Sequence, residues 1–408
     1  MMKRFLDPCI YLPFVLFSGK SSFERIGIEI HQEYSITLCI LSFCVLLTII
    51  NKSKKMNSIN ITYSEKYYIT FFLMLLIGVI NSPVPYEGVQ KVLEFSIIVV
   101  TCLLATINLS NKYNFENLVL GFFIISFILL IIALPKILSL NIINSGVNEA
   151  RISVLGGGPN VFGRFMFTGL LSGLVIFYSI KKNLKLYLKV IFLAVLALFC
   201  IAIIFSGSRG VYLAMFVAFL LGLLLLFLSR RIVINIKLLF LILITPPLLF
   251  YIFSSQITFF YESRIKHLFN DVEGGNSIGA RRDMYSEAIN IFYENPFLGE
   301  GTNSFPFYSK WDIYPHNLIL EIAAEFGILG LIILSVFIIS NLFNFNKLFI
   351  LQQKNKSLQS FSLVSFGLLA FTFSLITSQF SGDLFDSRFI FFFSVFSMNL
   401  YKVLPIEE

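Results

Sequence analysis

Apolar residues run along the chain in long, almost unbroken blocks, and short stretches between the blocks carry most of the charged residues. A helix needs about 20 mostly apolar residues to cross the hydrocarbon core of a bilayer. By this measure the pattern predicts twelve spans, near residues 5–19, 34–50, 67–82, 89–107, 117–135, 160–180, 185–205, 209–229, 236–254, 317–342, 358–378 and 388–404. The sequence therefore predicts an all-α polytopic integral membrane protein, with residues 1–408 in one membrane domain.

One long hydrophilic segment, residues 254–316, interrupts this pattern. Loops of this length in compact proteins are usually functional. Within it, residues 277–294 have helical spacing and Asn295-Pro296 predicts their end. One face of this predicted helix carries Arg281, Tyr285, Ala288 and Phe292. We expect an amphipathic helix on the outer membrane surface or over a cavity.

Composition excludes a soluble enzyme with an ordinary surface. Charged residues make up 13% of the chain and apolar residues 57%, whereas soluble domains carry roughly 25% charged residues. The net charge of +8 does not indicate nucleic-acid binding, because the cations punctuate apolar blocks and form no stripe. The five cysteines lie in or beside apolar blocks without a CxxC pair, which is typical of small core residues.

The cations differ in type between the two sides of the membrane. Short cytoplasmic loops retain Lys and Arg, which predicts that both termini are cytoplasmic. The predicted inner side then carries 15 Lys and 3 Arg, and the outer side 5 Lys and 8 Arg. Topology does not select between the two cations, but a guanidinium binds phosphate or carboxylate bidentately. The outer arginines indicate an anion site, or alternatively pair with outer carboxylates such as Asp383.

Three outer stretches could carry chemistry. In the first, from Arg151 to Arg164, three glycines precede a helix start, where backbone N–H groups can bind an anion or simply form a re-entry turn. The second is the tight turn Ser206-Gly-Ser-Arg209-Gly, whose arginine could instead reach lipid headgroups.

The third stretch comprises Asn295-Pro-Phe-Leu-Gly-Glu-Gly301 and the run from Pro315 to Gly330. There His316 stands at a membrane re-entry point, with Asn317 as the expected N-cap of the next helix. Glu321 and Glu325 follow in its first turns, where carboxylates suit the helix dipole. No metal site is predicted, since His316 has no histidine four residues away.

Few charges fall in the middle of a span, which argues against an ion-coupled transporter. A lipid-linked oligosaccharide flippase with a cationic cavity remains the alternative from another functional class. It predicts charges along the middle of the spans and repeat symmetry, and the sequence shows neither.

Taken together, the Ser208-Arg209-Gly210 turn, Arg281 before an aromatic residue, the Asn295–Gly301 stretch and the His316-Asn317…Glu325-Phe-Gly327 run resemble the bacterial O-antigen ligase and O-antigen polymerase family. The resemblance is strongest over residues 151–330. It implies an all-helical glycosyltransferase of the bacterial inner membrane. Such an enzyme takes a glycan from undecaprenyl pyrophosphate on the periplasmic face and joins it to a sugar hydroxyl, without cofactor, metal or nucleotide sugar.

The resemblance also implies roles for particular residues. Arg209 and Arg281 would bind the pyrophosphate, and His316 would activate or orient the acceptor hydroxyl. Further residues expected to bind the pyrophosphate or glycan are Arg151, Arg164, Arg282, Asn317 and Glu325. Glu325 could also orient His316.

Of the family's two activities, we favour the polymerase that extends an O-antigen or capsular polysaccharide on its lipid carrier. Its partners would be a lipid-linked glycan donor, a lipid-linked acceptor, membrane lipids and a chain-length regulator protein. The ligase, which passes finished glycan to lipid A core or to a protein, is the near alternative. The sequence does not distinguish their acceptor sites, nor does it give the sugar, linkage, chain length or oligomeric state.

Overall fold

The computed structural model describes residues 6–18, 30–52, 63–139, 151–155, 158–181, 184–229, 277–354 and 358–404. A 3₁₀ turn at Pro8–Ile10 precedes the first helix. The helices are α1 (Leu12–Ser18), α2 (Ile30–Lys52), α3 (Tyr63–Asn81), α4 (Pro85–Asn108), α5 (Lys112–Ser139), α6 (Pro159–Ile180), α7 (Leu186–Phe205), α8 (Arg209–Leu228), α9 (Ser277–Glu294), α10 (Phe305–Tyr308), α11 (Leu318–Lys354), α12 (Leu358–Thr377) and α13 (Arg388–Val403). Within these ranges there is no strand, and the all-α prediction is confirmed.

The helices agree closely with the predicted spans. Seven of those in the described ranges, α4 to α8, α11 and α12, are long and apolar enough to cross a membrane, and shorter apolar helices occur within α1 to α3. Each predicted span overlaps a helix, except 236–254, which lies outside the described residues. The span predicted at 5–19 overlaps only the 3₁₀ turn and the short helix α1. The polytopic membrane character is thus confirmed, and the total of twelve spans stays a prediction.

Helix α13 lies at the centre of the bundle and packs against α3, α4, α11 and α12. Its residues from Arg388 to Phe396 are all buried. The Phe391 ring alone contacts three rings from three other helices, with centroid distances of 5.1 Å to Phe71, 5.2 Å to Phe95 and 5.2 Å to Phe337. Packing of large aromatic side chains therefore holds this helix in position. The connection of residues 378–387 leads directly into its first residue, Arg388, and is positioned with it.

Helix α11 is broken at Gly327, where φ is 58° and ψ is −153°. The loop 296–301 supplies the hydrogen bonds lost at the break. The N–H of Ile328 donates to the Pro296 carbonyl at 2.8 Å, and the Gly301 N–H donates to the Glu325 carbonyl at 2.9 Å. Residues 318–326 are therefore a separate helical segment with a satisfied carboxyl end, called the half-helix below.

Glycines allow this loop to approach so closely. Gly301 has a φ of 94°, and a Cβ there would lie 2.5 Å from the Gly78 carbonyl oxygen of α3. Gly299 has a φ of 69°, and its Cβ would lie 2.3 Å from the Glu325 carbonyl carbon. The Asn295–Gly301 stretch, singled out from the sequence for its chemistry, is thus the element that clamps the half-helix against α3.

Helix α9 ends at Glu294, immediately before Asn295-Pro296, as predicted. Its packed side includes Tyr285 and Ala288 of the predicted face, together with Met284 and Ile291. Met284, Ala288 and Ile291 are buried against Phe305 and Ala324, the latter in the half-helix. Arg281 and Phe292, the other residues of the predicted face, are half-buried.

Candidate active site

The first two stretches predicted from the sequence meet at the helix starts of α6 and α8. The Ser208 hydroxyl donates to Asn160 Oδ1 at 2.6 Å and accepts the N–H of Val211 at 3.4 Å, so it caps α8 while bonding to the first turn of α6. Two helix N-termini, each with the positive end of its dipole, therefore lie side by side. Arg209, half-buried, is the first residue of α8.

Arg151 lies against the same turn. Its Nη2 donates to the Gly207 carbonyl at 3.1 Å. Gly207 has a φ of 61°, and a Cβ there would lie 3.1 Å from Arg151 Cγ. The structure thus brings Arg151 and Arg209 to one turn, although 58 positions separate them in the sequence.

Arg164 is buried and holds the 378–387 connection. Its Nη1 donates to the Asp386 carbonyl at 2.8 Å, and its Nη2 donates to the carbonyl and the hydroxyl of Ser381 at 2.8 and 2.7 Å. These acceptors shape the loop, so the observed contacts of Arg164 are intramolecular. Its predicted role in substrate binding stays a prediction.

Asp386 and Arg388 complete this connection. Asp386 Oδ1 lies 3.1 Å from Nη1 of Arg388, which is 1% exposed. Arg388 Nε also donates to the Leu16 carbonyl at 2.7 Å, which ties the connection to α1. The alternative that outer arginines pair with outer carboxylates therefore holds for Arg388. Sequence reasoning did not select Asp386 or Arg388 as site residues, although the short Asp-Ser-Arg spacing was a signal.

Asn317 caps the half-helix, as predicted. Its Oδ1 accepts the N–H of Leu320 at 3.1 Å, and its Nδ2 donates to the Gln379 carbonyl at 3.3 Å. The Tyr285 hydroxyl of α9 donates to the same carbonyl, also at 3.3 Å. The 378–387 connection therefore positions both the third stretch and helix α9.

His316 stands directly before this cap in a left-handed backbone conformation, with φ at 58°. Such a conformation costs a non-glycine residue on the order of 1–3 kcal/mol and is common at functional sites. The Tyr314 ring meets the imidazole edge-on with centroids 4.6 Å apart. His316 Nδ1 is buried and has no hydrogen-bond partner among the described residues.

Burial and the surrounding charges together shift the pKa of His316. Burial lowers the pKa of His316 below 6.5, the positive charge of Arg281 lowers it further, and Asp386 and Asp383 oppose this shift. Burial and the same two carboxylates raise the pKa of Tyr314, so its phenol stays protonated. A neutral imidazole with an unpartnered nitrogen can accept a proton near pH 7.

Glu325 contacts Lys91, a residue that the sequence did not single out. Its two carboxylate oxygens lie 2.7 and 2.8 Å from Lys91 Nζ. Lys91 also contacts Glu321 Oε1 at 2.6 Å. The pairing across 234 positions has no signal in a single sequence. The substrate and histidine roles expected for Glu325 stay predictions.

The predicted residues thus form two neighbouring groups. Arg151 and Arg209 lie at the α7–α8 turn, and Arg164 and Asn317 donate hydrogen bonds to the 378–387 connection. His316 precedes Asn317, and the charge of Arg281 acts on it. The two groups meet where Gly210 packs against Phe380, since a Cβ on Gly210 would lie 2.8 Å from the Phe380 Cβ. Arg282 is exposed on α9. No group of three or more His, Cys, Asp or Glu side chains in the described part of the chain is arranged to hold a metal ion.

Comparison with known proteins agrees with the sequence resemblance. A search of curated proteins finds no match to the chain. A family model described as O-antigen ligase matches residues 192–335. This segment, less than half of the 408 residues, contains Arg209, Arg281, Arg282, His316, Asn317 and Glu325, but neither Arg151 nor Arg164. The resemblance is confirmed over residues 192–335, where the chain is similar to the O-antigen ligase family.

Proposed function

We propose that the protein is an O-antigen or capsular polysaccharide polymerase. It transfers the growing glycan from an undecaprenyl-pyrophosphate carrier to a sugar hydroxyl of another lipid-linked repeat unit. One observation carries the proposal: His316 has a strained left-handed backbone directly before the half-helix, and its buried Nδ1 has no hydrogen-bond partner among the described residues. Membrane glycan transfer of the ligase or polymerase type is the activity that the family match supports.

The proposed chemistry needs a base and a stabilised leaving group. The acceptor oxygen attacks the anomeric carbon of the donor sugar, and the bond from that carbon to the pyrophosphate oxygen breaks. His316 takes the proton of the attacking hydroxyl, and the pyrophosphate leaves with the bonding electrons. Preorganised cations stabilise that developing charge better than water does. We assign this task to Arg209 and Arg281, with Arg151 and the α6 and α8 N-termini beside them.

We place the reaction on the periplasmic face of the bacterial inner membrane, with both termini in the cytoplasm. The arginine-rich side predicted from the sequence supports this orientation. The proposal needs no metal or nucleotide sugar, because arginines supply the positive charge. A chain-length regulator protein is the further partner that a polymerase implies.

The ligase shares this donor chemistry and differs in its acceptor, which would be lipid A core or a protein. The Ile-, Phe-, Asn- and Lys-rich composition, which resembles products of variable surface-polysaccharide loci, favours the polymerase. A flippase would instead need charges along the middle of its spans. In the described residues the ionic cluster around Lys91 lies nearer the amino ends of α4 and α11 than their middle.

Deleting the gene separates these activities. We expect single repeat units on lipid A core, which identifies a polymerase. Long chains that accumulate on the carrier would identify a ligase, and repeat units held on the cytoplasmic side would identify a flippase. Unchanged surface polysaccharide would contradict all three. Complementation with Ser286→Ala, an exposed position on α9, is the matched positive control for His316→Ala.

A further inference from the structure

A buried ionic cluster joins α4 to the half-helix. Lys91 Nζ lies 2.6 Å from Glu321 Oε1 and 2.7 Å from Glu325 Oε1, and the three side chains are 7, 0 and 1% exposed. Burying charges is costly unless they are paired, and here two carboxylates share one cation. Glu321 Oε2 is buried without a hydrogen-bond partner among the described residues.

The contacts of Lys91 define the position of the half-helix in two ways. Glu321 and Glu325 lie one helical turn apart on the same face. An ammonium group that bonds to both therefore fixes the rotation of the segment about its axis and its position along that axis. Lys91 has three rotatable donor hydrogens on a compact charge, which suits contact with two carboxylates at once.

Backbone hydrogen bonds and apolar packing also hold the half-helix. The Leu318 N–H donates to the Ser378 carbonyl at 3.1 Å, and the Glu325 carbonyl accepts the Gly301 N–H at 2.9 Å. Ile322 and Ala324 are buried between these two bonds. Lys91 adds ion pairs from α4 to Glu321 and Glu325, and movement of the segment would be passed directly to Asn317 and His316, which precede its first turn.

We propose that Lys91 is a positioning residue for His316, because its two ion pairs hold the half-helix where the imidazole is buried beside Arg281. This role of Lys91 rests on the proposed function, in which His316 is the base. A displacement of about 1 Å in a reacting group can lower a rate by about 10²-fold. Loss of the cluster should therefore lower kcat strongly and change KM little.

If Lys91 contributed only to the stability of the fold, a folded variant without the charges would leave His316 unchanged. Neutral side chains of similar volume often replace a buried ionic cluster without loss of stability. The variant Lys91→Met/Glu321→Gln/Glu325→Gln, called the neutral variant here, should therefore fold, yet it lacks the directional contacts that position the half-helix. Lys185→Met, at an exposed lysine before α7, is the matched control for removing a lysine charge.

The test measures the reactivity of His316 directly, without turnover. The chain has three histidines, so a His31→Gln/His267→Gln background leaves His316 alone to react with diethyl pyrocarbonate. The charged and titratable groups around it are Arg281, Tyr314, Asp383 and Asp386. We expect the reaction in Lys91→Met and in the neutral variant to be about tenfold faster, with its half-point about one pH unit higher, as burial is relieved.

Unfolding temperature in detergent is measured on the same samples. Unchanged His316 reactivity in a folded neutral variant would overturn the proposal, and so would unfolding of the neutral variant, which would assign the cluster to stability of the whole bundle. Lys185→Met should match the parent protein. Absence of glycan transfer by the wild-type protein would contradict the proposed function instead, and the reactivity result would still decide whether Lys91 positions His316.

Discussion

The Ser208 hydroxyl lies 2.6 Å from Asn160 Oδ1 and joins the first turn of α6 to the N-cap of α8. This bond brings together two predicted anion-binding stretches that are 48 residues apart in the sequence. It lies beside Arg209 and the Gly207 turn that Arg151 contacts. Two helix N-termini and two arginines are therefore arranged around one turn, which is the basis for placing the pyrophosphate there.

The Ser208–Asn160 bond should contribute measurably to stability. We expect Ser208→Ala to lower the free energy of unfolding by about 1 kcal/mol, because α8 loses its N-cap. Asn160→Ala should cost about as much, and the double variant less than the sum, since both changes remove the same bond. Denaturant unfolding in detergent measures the cycle. Fully additive costs would show that the two residues do not interact.

Arg164 should be essential for the fold around the 378–387 connection. Arg164→Met leaves the Asp386 and Ser381 carbonyls without their donor, and we expect a loss of about 3 kcal/mol in unfolding free energy. Arg282→Met, on the exposed side of α9, is the matched arginine control and should change stability by less than about 0.5 kcal/mol. Equal effects of the two substitutions would contradict the structural role of Arg164.

Glycine should be required at position 301. An alanine there would have to adopt a φ of 94° and place its Cβ 2.5 Å from the Gly78 carbonyl oxygen, so we expect the unfolding temperature to fall and activity to be lost. Gly279 of α9 has nothing within 4 Å of its Cβ position. Gly279→Ala should leave the protein as stable or slightly more so. A Gly301→Ala protein as stable as Gly279→Ala would rule out the tight loop packing.

The charges near His316 predict the pH dependence of glycan transfer. The base must be neutral, so kcat/KM should fall on the acid side with a midpoint below 6.5, because burial and Arg281 lower the pKa of His316. Arg281→Met removes a like charge and should move this midpoint to higher pH. Asp386→Asn removes a favourable charge and should move it to lower pH. Lys185→Met, at an exposed lysine, is the control, and a shift of either variant in the opposite direction would contradict the assignment.

The sequence alone predicted the features that depend on residues close together in the chain. Long apolar blocks predicted the spans, Asn295-Pro296 predicted the end of α9, and Asn317 was identified as a cap from its position alone. The sequence predicted less where packing between distant segments determines which side chains meet. The face of α9 depends on Phe305 and Ala324, which lie outside that helix, and the partners of Lys91 lie 230 and 234 positions away.

The same limit explains the residues that sequence reasoning passed over. Asp386 lies in the site because its carbonyl accepts a hydrogen bond from Arg164, which is 222 positions away in the sequence. Nothing in the sequence distinguishes Tyr314 from other aromatic residues in loops, but its ring packs against His316. Such residues act through neighbours, and a single sequence does not show which neighbours they have.

The most direct test of the proposed function is a transfer reaction with purified protein, an undecaprenyl-pyrophosphate-linked repeat unit and EDTA. We expect the wild-type protein to form longer lipid-linked glycans and release undecaprenyl pyrophosphate, with Ser286→Ala, at an exposed position, close to wild type. His316→Ala should slow the reaction by about 10²-fold or more, as loss of a general base does. No transfer by the folded wild-type protein, strict dependence on a metal ion, or an unchanged rate in His316→Ala would contradict the account.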